Sequence, residues 1–416
     1  MPPAAKPQAA LTRSLSLRDA VAIGGAAVLG AGVFTVFGPA AQSAGTLLPL
    51  ALLVAALVAT ANALSTAQLA QEHPVAGGAY AYGRRYLGPW PGYVAGLMFV
   101  VGKLASCCAI ALTVGAYAWP GQERVVAIAA VLVMAAINAA GVTRTARTAA
   151  VTVGVVVAVL VLAIVIGVVD PPSPARVVVT ASHTPGLLGV TQAAGLLFFA
   201  FAGYARIATL GEEVKAPRRT IPRAIILTLV GALALYTALA VVLLWRVGVN
   251  GLAASPTPVR ALVGQVGWAG SVVAIGAVVA GLGSLLALLA GVSRTALAMS
   301  REGDLPRGLA RLNGRGVPAV ADAIAAVIVV ALIGVLDLRI AISLSGVSVL
   351  VYYLVANLAA LAQPPHERRY PRLIPIGGVI GCVTLALSLP HEAVLSAAVV
   401  LGCGVLVRVV ARGLRR

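Results

Sequence analysis

The chain has 416 residues, of which 60% are hydrophobic and only 10% are charged, and its mean hydropathy is +1.01. A soluble core of this length could not bury that much apolar surface, so the composition excludes a soluble protein and indicates an integral membrane protein. The net charge of +18 comes from basic residues dispersed over short loops beside apolar runs. Membrane insertion and anionic lipid explain that pattern, and it does not indicate a nucleic-acid partner.

Apolar runs of bilayer length recur along the chain, and a spanning helix needs about 20 apolar residues. These runs predict an all-α integral membrane protein with twelve transmembrane helices, and no stretch is polar enough for a soluble domain. The predicted spans are residues 18–42, 46–70, 90–118, 123–141, 148–169, 188–210, 223–246, 267–298, 318–336, 339–361, 373–389 and 392–410. Residues 1–416 are therefore read as a single membrane domain with a short tail at residues 1–16.

The loops alternate between strongly and weakly basic. The side that holds both termini carries 23 lysine and arginine residues and the other side carries 5, while Lys103 and Arg206 lie within spans. The positive-inside rule then predicts that both termini are cytoplasmic. The four cysteines lie in apolar runs without a CxxC spacing or a histidine partner, so we expect no disulfide, metal site or cofactor.

Glycine interrupts the first and sixth spans at corresponding places. The first contains GAG at residues 30–32, and the sixth contains Gly203 after the sequence FAF at residues 199–201. A helix can break inside a bilayer only where protein or a watery cavity satisfies the freed backbone groups, and paired breaks in two halves are typical of a secondary transporter. The alternative is that these glycines only allow close helix packing.

Between the second and third spans, the segment PVAGGAYAYGRR at residues 74–85 predicts an irregular re-entrant connection. Gly77 and Gly78 permit a tight backbone, and Tyr80 and Tyr82 suit the membrane interface.

Lys103 lies near the middle of the third span, where a lysine costs about 2.5 to 3.5 kcal/mol to insert. Cys107 follows one helical turn later on the same face. A functional role is favoured, because a lysine in mid-span cannot easily reach the interface; a locally paired lysine with a structural role is the alternative.

Two acidic and basic clusters border the spans. They are Glu212, Glu213, Arg218 and Arg219 after the sixth span, and Glu302 and Asp304 among arginines after the eighth. Each predicts either a gate of ion pairs on the cytoplasmic side or a solvated loop that only sets topology, since exposed ion pairs contribute little.

Four segments together resemble the signature blocks of bacterial amino acid permeases of the amino acid-polyamine-organocation (APC) superfamily, and most closely its cationic-amino-acid-transporter-like branch. They are LRDAVAIGGAAVLGAGVFTVFGPAA (17–41), PVAGGAYAYGRRYLGPWPGY (74–93), FFAFAGYARIATLGEEVKAPRRTIPRAI (198–225) and SRTALAMSREGDLP (293–306). The resemblance covers the first two-thirds of the chain, and the last third shares only the helix count.

The resemblance implies a LeuT-like fold. In this fold helices 1–5 (residues 17–170) and 6–10 (residues 188–362) form a 5+5 inverted repeat with broken helices 1 and 6, and two peripheral helices follow at residues 371–411. It also implies an amino acid permease in the bacterial cytoplasmic membrane that works by alternating access and has no enzymatic activity. Its partners would be an amino acid, the lipid bilayer and, if transport is coupled, protons.

The chemistry of a broken helix suits a zwitterion. At the break in the first span, the amide groups and positive dipole end of the second half face an anion, which fits an α-carboxylate. The last carbonyls of the first half and those of the sixth span accept hydrogen bonds from an α-ammonium group. Together with the resemblance, this makes the expected substrate site Val28, Gly30, Ala31, Gly32, Lys103, Cys107, Phe199, Phe201, Ala202 and Gly203.

Two departures from the family leave the substrate and the coupling open. Many members are proposed to use a lysine in helix 5 in place of sodium, but residues 148–169 contain none. Either Lys103 provides the coupling or the protein is an uncoupled exchanger or facilitator. Relatives that prefer cations often have a carboxylate after the helix 6 glycine, where this chain has Ala205 and Arg206. A neutral amino acid is therefore favoured, and a cationic amino acid or polyamine antiporter is the alternative.

Other classes of membrane protein fit less well. A membrane-embedded enzyme needs clustered histidines or carboxylates within its spans, and a channel needs a continuous polar pore. The spans show neither pattern.

Overall fold

The computed structural model describes residues 15–73, 77–141, 146–169, 186–204, 207, 214–264 and 266–413. Its α-helices in chain order are α1 (Leu17–Val28), α2 (Gly32–Thr35), α3 (Phe37–Ala44), α4 (Leu48–Glu72), α5 (Ala79–Tyr86), α6 (Pro89–Ala118), α7 (Glu123–Ala139), α8 (Ala146–Val169), α9 (Leu187–Phe201), α10 (Pro217–Arg246), α11 (Gly248–Ala254), α12 (Pro258–Leu262), α13 (Gly267–Arg301), α14 (Ala319–Val335), α15 (Leu338–Ala362), α16 (Leu373–Ser388) and α17 (His391–Gly413). Short 3₁₀ helices at Gly45–Leu47, Ala202–Tyr204, Arg307–Ala310 and Pro365–Glu367 connect or extend them.

The prediction of an all-helical membrane protein is confirmed. In the described ranges, nine helical segments are long and apolar enough to cross a bilayer, and the shorter apolar helices α14 and α16 accompany them. Each of the twelve predicted spans overlaps at least one of these helices or α7. Most boundaries agree within two residues.

The start of α10 corrects the sequence analysis, which placed it at residue 223. The helix begins at Pro217 and continues through Pro222. Proline in the first turn has the fixed φ that a helix needs, which favours Pro217 as the first residue. Pro222 cannot donate to the carbonyl of Arg218, but the guanidinium of Arg369 donates to that oxygen at 3.3 Å. A side chain from another segment thus replaces the missing helical hydrogen bond.

The connection between α4 and α6 is also more regular than predicted. Gly77 and Gly78 have φ angles of 124° and 53°, so the tight backbone expected there is confirmed. The chain then forms helix α5, and Tyr80 and Tyr82 are buried, 4% and 1% exposed, where an interfacial position was expected. The phenol of Tyr352 in α15 accepts a hydrogen bond from the amide of Ala79 at 3.0 Å and holds the helix start against the bundle.

Helices α6 and α15 form the centre of the bundle. Every residue from 104 to 117 of α6 and from 341 to 350 of α15 is buried. Small residues allow this contact: a side chain on Gly102 would overlap Ser348 and Val349, and the hydroxyls of Ser106 and Ser345 lie 2.7 Å apart. Outer helices α8, α10, α14 and α17 instead expose valine and leucine, as lipid-facing surfaces do.

A buried ionic cluster ties three segments together at the end of the bundle where α1 begins: α5, the loop after α13, and α17. The carboxylate of Asp304 lies 2.6 Å from Arg408 of α17 and 2.9 Å from Arg84 of α5, and it accepts a hydrogen bond from Tyr80 at 3.0 Å. The side chains of Asp304 and Arg408 are each only 2% exposed. Arg84 also pairs with the more exposed Glu302 at 2.9 Å.

Replacing Asp304 therefore tests the cluster. Asp304→Asn leaves Arg408 buried beside a neutral group, and we expect a loss of about 3 to 5 kcal/mol of stability, the range for one partner of a buried pair. Glu302→Gln is the matched control and should cost under about 1 kcal/mol, because that carboxylate is half-exposed. Thermal unfolding of both purified variants in detergent measures the difference, and equal shifts would show that the cluster does not stabilise the bundle.

Candidate functional site

The break predicted in the first span is present. Helix α1 ends at Val28 and α2 begins at Gly32, which leaves residues 29–31 outside regular helix. The second half is longer than α2 alone. The amide of Val36 donates to the carbonyl of Gly32 at 3.0 Å, and that of Ala40 to Val36 at 3.1 Å, so hydrogen bonds run on into α3. Residues 32–44 thus form one helical segment that points its N-terminus at the break.

The predicted break in the sixth span has the opposite sense. Helix α9 ends at Phe201, and the chain continues as the more tightly wound 3₁₀ turn Ala202–Tyr204. This leaves the last carbonyls of α9 near the break in the first span. Ala205 and Arg206, from which the sequence analysis argued the substrate class, lie outside the described residues.

The two breaks touch one another. A side chain on Gly203 would overlap the backbone carbonyl of Ala27, and one on Gly32 would meet the ring of Phe199 and the backbone of Ala200. Gly30 packs against the hydroxyl of Ser284 in α13. The structure therefore brings together eight of the predicted residues, namely Val28, Gly30, Ala31, Gly32, Phe199, Phe201, Ala202 and Gly203.

Two tyrosines donate hydrogen bonds to the carbonyls that the breaks leave without helical partners. The sequence analysis did not identify these tyrosines. Tyr236 of α10 donates its hydroxyl proton to the carbonyl of Val28 at 2.8 Å and shares it with that of Ala200 at 3.3 Å. Tyr353 of α15 donates to the carbonyl of Ala202 at 3.3 Å. A tyrosine isolated in an apolar helix, as in the run ALALYTALAV, was the available signal, because a buried phenol needs a hydrogen-bond partner.

Aromatic rings surround these contacts. The ring centroid of Tyr236 lies 5.2 Å from that of Phe201 and 6.4 Å from that of Phe37. Tyr353 stacks on Tyr204 at 5.1 Å. The site thus combines main-chain carbonyls and amides with an apolar, aromatic border.

Contacts join the first and sixth spans at both ends. Where α1 begins, the amide of Lys215, just after the sixth span, donates to the carbonyl of Leu15 at 2.9 Å, and Leu15 and Val214 form an isolated parallel bridge. Where α9 begins, the hydroxyl of Ser43 donates to the side chain of Gln192 at 2.9 Å. These contacts therefore hold the two spans together on either side of the breaks.

Lys103 and Cys107 lie on α6, apart from this contact. The ammonium group of Lys103 is 5.7 Å from the ring centroid of Phe99, and Cys107 is fully buried. Ser106 faces Ser345, and the neighbouring Gly346 packs against the carbonyl of Gly195, one turn before Phe199 in α9. Lys103 is therefore at about the depth of Phe199. The described residues show no hydrogen bond or ion pair between Lys103 and either break.

Helix α8 meets the first span at Gly25 through an apolar side chain. The closest atoms to a side chain on Gly25 would be the methyl groups of Val153, at 3.4 and 3.6 Å. This apolar contact agrees with the absence of a helix 5 lysine from the sequence.

Half of the predicted gate can be located. Glu212 and Glu213 lie outside the described residues. Arg218 is exposed and its guanidinium lies 3.9 Å from the carboxylate of Glu72, while Arg219 is exposed at the start of α10. The Arg218–Glu72 pair is long and solvated, so it contributes little.

Comparison with known proteins agrees with this architecture. The family model described as amino acid permease matches residues 15–403. An uncharacterized transporter of Mycobacterium tuberculosis is 50% identical over 414 residues, which cover 98% of this chain and 92% of that protein. A branched-chain amino acid permease of Bacillus subtilis is 26% identical and covers 73% of this chain and 70% of its own length. A vacuolar cationic amino acid transporter of Arabidopsis thaliana is 27% identical and covers 76% of this chain and 57% of its own length.

The contact between the two breaks leaves no room for a side chain at Gly203. Gly203→Ala puts a methyl group into the backbone of residue 27, and we expect overpacking to cost about 1 to 3 kcal/mol. Gly231→Ala is the matched control, because Gly231 is exposed on α10 with no atom within 4 Å of an added side chain, so it should be neutral or slightly stabilising. Thermal unfolding of both variants measures this; a neutral Gly203→Ala would mean that the breaks are not in contact.

Proposed function

This chain belongs to the amino acid permease family, and we propose that it is a secondary transporter that carries an amino acid across the cytoplasmic membrane by alternating access. As a member of a transporter family it is not an enzyme. Twelve membrane crossings, a LeuT-like 5+5 inverted repeat with two peripheral helices, and cytoplasmic termini are part of the proposal. The paired breaks support the repeat, and the excess of basic residues supports the orientation.

The contact between the two breaks carries the proposal. The helix at residues 32–44 turns its N-terminus, and so its amide groups and positive dipole end, towards the break, where an α-carboxylate fits. The carbonyls of Val28, Ala200 and Ala202 lie on the other side and already accept hydrogen bonds from tyrosines. An α-ammonium group makes the same kind of contact with these oxygens. One zwitterion thus satisfies both sets of backbone groups.

We infer that the side chain of the substrate is neutral. In the described residues, the surroundings of the breaks are Phe199, Phe201, Phe37 and small residues, with no carboxylate to balance a cationic side chain. Burying such a charge without a partner is costly. The relatives include both a branched-chain amino acid permease and a cationic amino acid transporter, so the inference of a neutral side chain rests on the site and not on membership of the family. A cationic amino acid or polyamine antiporter is the alternative outcome of the test below.

We assign the coupling to Lys103. Residues 148–169, where relatives are proposed to use a lysine, contain none, and the side chain that faces Gly25 from α8 is the apolar Val153. Lys103 is the one lysine within a predicted span, is partly buried, and forms no ion pair in the described structure. A lysine in such a site can exchange its proton during the transport cycle.

The substrate class can be tested in proteoliposomes. We expect saturable uptake of radiolabelled leucine that excess unlabelled leucine or alanine abolishes and that excess arginine or spermidine leaves nearly unchanged. Liposomes without protein are the control. Strong inhibition by arginine or spermidine would support the cationic alternative, and no uptake or binding of any amino acid or amine would contradict the proposed function.

The coupling can be tested with Lys103→Met. We expect the wild-type protein to take up leucine faster under an inward proton gradient, and the variant to transport at a rate that no longer responds to the gradient. Lys103→Arg separates the charge from the proton: arginine keeps the charge but does not release a proton, so this variant should also lose the response. An unchanged response in both variants would remove Lys103 from the coupling, and no response in the wild type would indicate an exchanger or facilitator.

A further inference from the structure

A chain of side-chain hydrogen bonds crosses the end of the bundle where α9 begins. Arg339, at the start of α15, donates to the side-chain oxygen of Gln42 at 2.7 Å and reaches the hydroxyl of Ser43 at 3.5 Å. Ser43 in turn donates to Gln192 of α9 at 2.9 Å. We call these four residues the polar bridge. It links the second half of the first span, the sixth span and the central helix α15.

A cavity of about 540 Å³ opens on the polar bridge. It is large enough for an amino acid. Its walls come from the start of α9, the start of α15 and the turn between α16 and α17. The polar residues that line it are Gln192, Asp337, Arg339, Ser388, His391 and Glu392.

The cavity is lined by charges of both signs, as a zwitterion needs. Arg339 supplies a cation at the start of α15. Glu392 supplies a carboxylate at the start of α17; its side chain is 55% exposed and lies 3.2 Å from His391. The carboxylate of Asp337 caps the start of α15 by accepting from the amide of Ile340 at 2.8 Å. An amino acid can place its carboxylate at Arg339 and its ammonium group towards Glu392.

Arg339 is held by partners weaker than a carboxylate. The amide of Gln42 and the hydroxyl of Ser43 are neutral acceptors, and the Nε–H group of Arg339 is buried without a hydrogen-bond partner among the described residues. A carboxylate binds guanidinium through two parallel, charge-assisted hydrogen bonds, which are stronger than bonds to neutral groups. A carboxylate in the cavity therefore competes with Gln42 and Ser43 for Arg339 and satisfies its unpaired donor.

We propose that Arg339 binds the carboxylate of an incoming amino acid at this entrance, and that its exchange of partners opens the polar bridge. Once Gln42 and Ser43 lose Arg339, the bridge no longer joins α15 to residues 32–44, and of its hydrogen bonds that between Ser43 and Gln192 is left. The inference rests on the proposed function and deepens it: selection of a carboxylate begins at the entrance, before the substrate reaches the breaks.

Uptake kinetics give the first test. In proteoliposomes, Arg339→Gln should raise the KM for leucine about tenfold, the effect of losing one charge-assisted contact, with a smaller change in maximal rate. Arg339→Lys restores charge without the two parallel hydrogen bonds and should be intermediate. Arg124→Gln is the matched control: Arg124 also lies at a helix start and donates to a carbonyl, that of Gly334 at 3.2 Å, but it is outside the bridge. An Arg339→Gln variant with the KM of the Arg124→Gln control would overturn the proposal.

Accessibility of a buried cysteine gives the second test, which does not depend on uptake. Ala40 is fully buried and lies one helical turn deeper than Ser43 on the same face. The Ala40→Cys variant is made in a Cys403→Ser background, which removes the exposed native thiol. Intact cells that carry it are treated with a membrane-impermeant thiol reagent, and the rate of labelling is measured. We expect leucine to raise the labelling rate severalfold, and leucinamide, which lacks the carboxylate, to leave it unchanged.

Bridge variants separate the entrance role from a general loss of structure. Gln42→Ala combined with Ser43→Ala should raise the labelling of Ala40→Cys without leucine and should not raise the KM, because Arg339 remains available to the carboxylate. Arg339→Gln should also raise labelling without leucine but should raise the KM. Labelling that leucine does not change in the wild-type bridge would overturn the inference, even where leucine uptake itself confirms the proposed function. Absence of uptake would instead contradict the proposed function.

Discussion

The structure depends on one constraint: backbone groups inside a bilayer need partners, and two helices of this chain break there. The carbonyls that α1 and α9 leave at their ends find partners in Tyr236 and Tyr353. Each unsatisfied group would cost several kcal/mol in lipid, so the hydrogen bonds from these phenols stabilise both breaks. Since the tyrosines belong to α10 and α15, two helices outside the broken pair fix the position of both breaks.

The same tyrosines give the breaks a partner when no substrate is bound. A carbonyl oxygen has two lone pairs, so an ammonium group can join Tyr236 at Val28 and Ala200 or replace it. Binding of the proposed substrate then exchanges one set of hydrogen bonds at these carbonyls for another, so the carbonyls of Val28 and Ala200 have a donor in either state. The close packing of Gly32 and Gly203 adds a second requirement, because the broken helices must move apart to admit a molecule between them.

The sequence was sufficient to predict the helices and the breaks, but not the partners of the breaks. Hydropathy located the long apolar helices of the described residues because each is a local property of about 20 residues, and glycine marked the breaks for the same reason. Tyr236 and Tyr353 were missed because their partners are backbone atoms far away in the sequence, which no local pattern reveals. The burial of Tyr80 and Tyr82 was missed for a similar reason: the contacts of α5 with α15 and with Asp304 are tertiary. The role of Lys103 stays a prediction, since its depth agrees with Phe199 but no hydrogen bond or ion pair of the described residues joins it to the breaks.

The contacts that join the first and sixth spans at the two ends differ in chemistry, and this difference gives them different roles in the proposed cycle. The contact at Leu15 and Lys215 is a hydrogen bond between main-chain groups, and a substrate's carboxylate can compete there only for the amide. The polar bridge is held by a guanidinium on neutral acceptors, which a carboxylate displaces readily. Ligand chemistry therefore acts directly on the bridge. The main-chain contact has to open through movement of the segments that carry it, and α1 directly connects Leu15 to the break. Occupancy of the break and release of the main-chain contact are thus linked through a single helix.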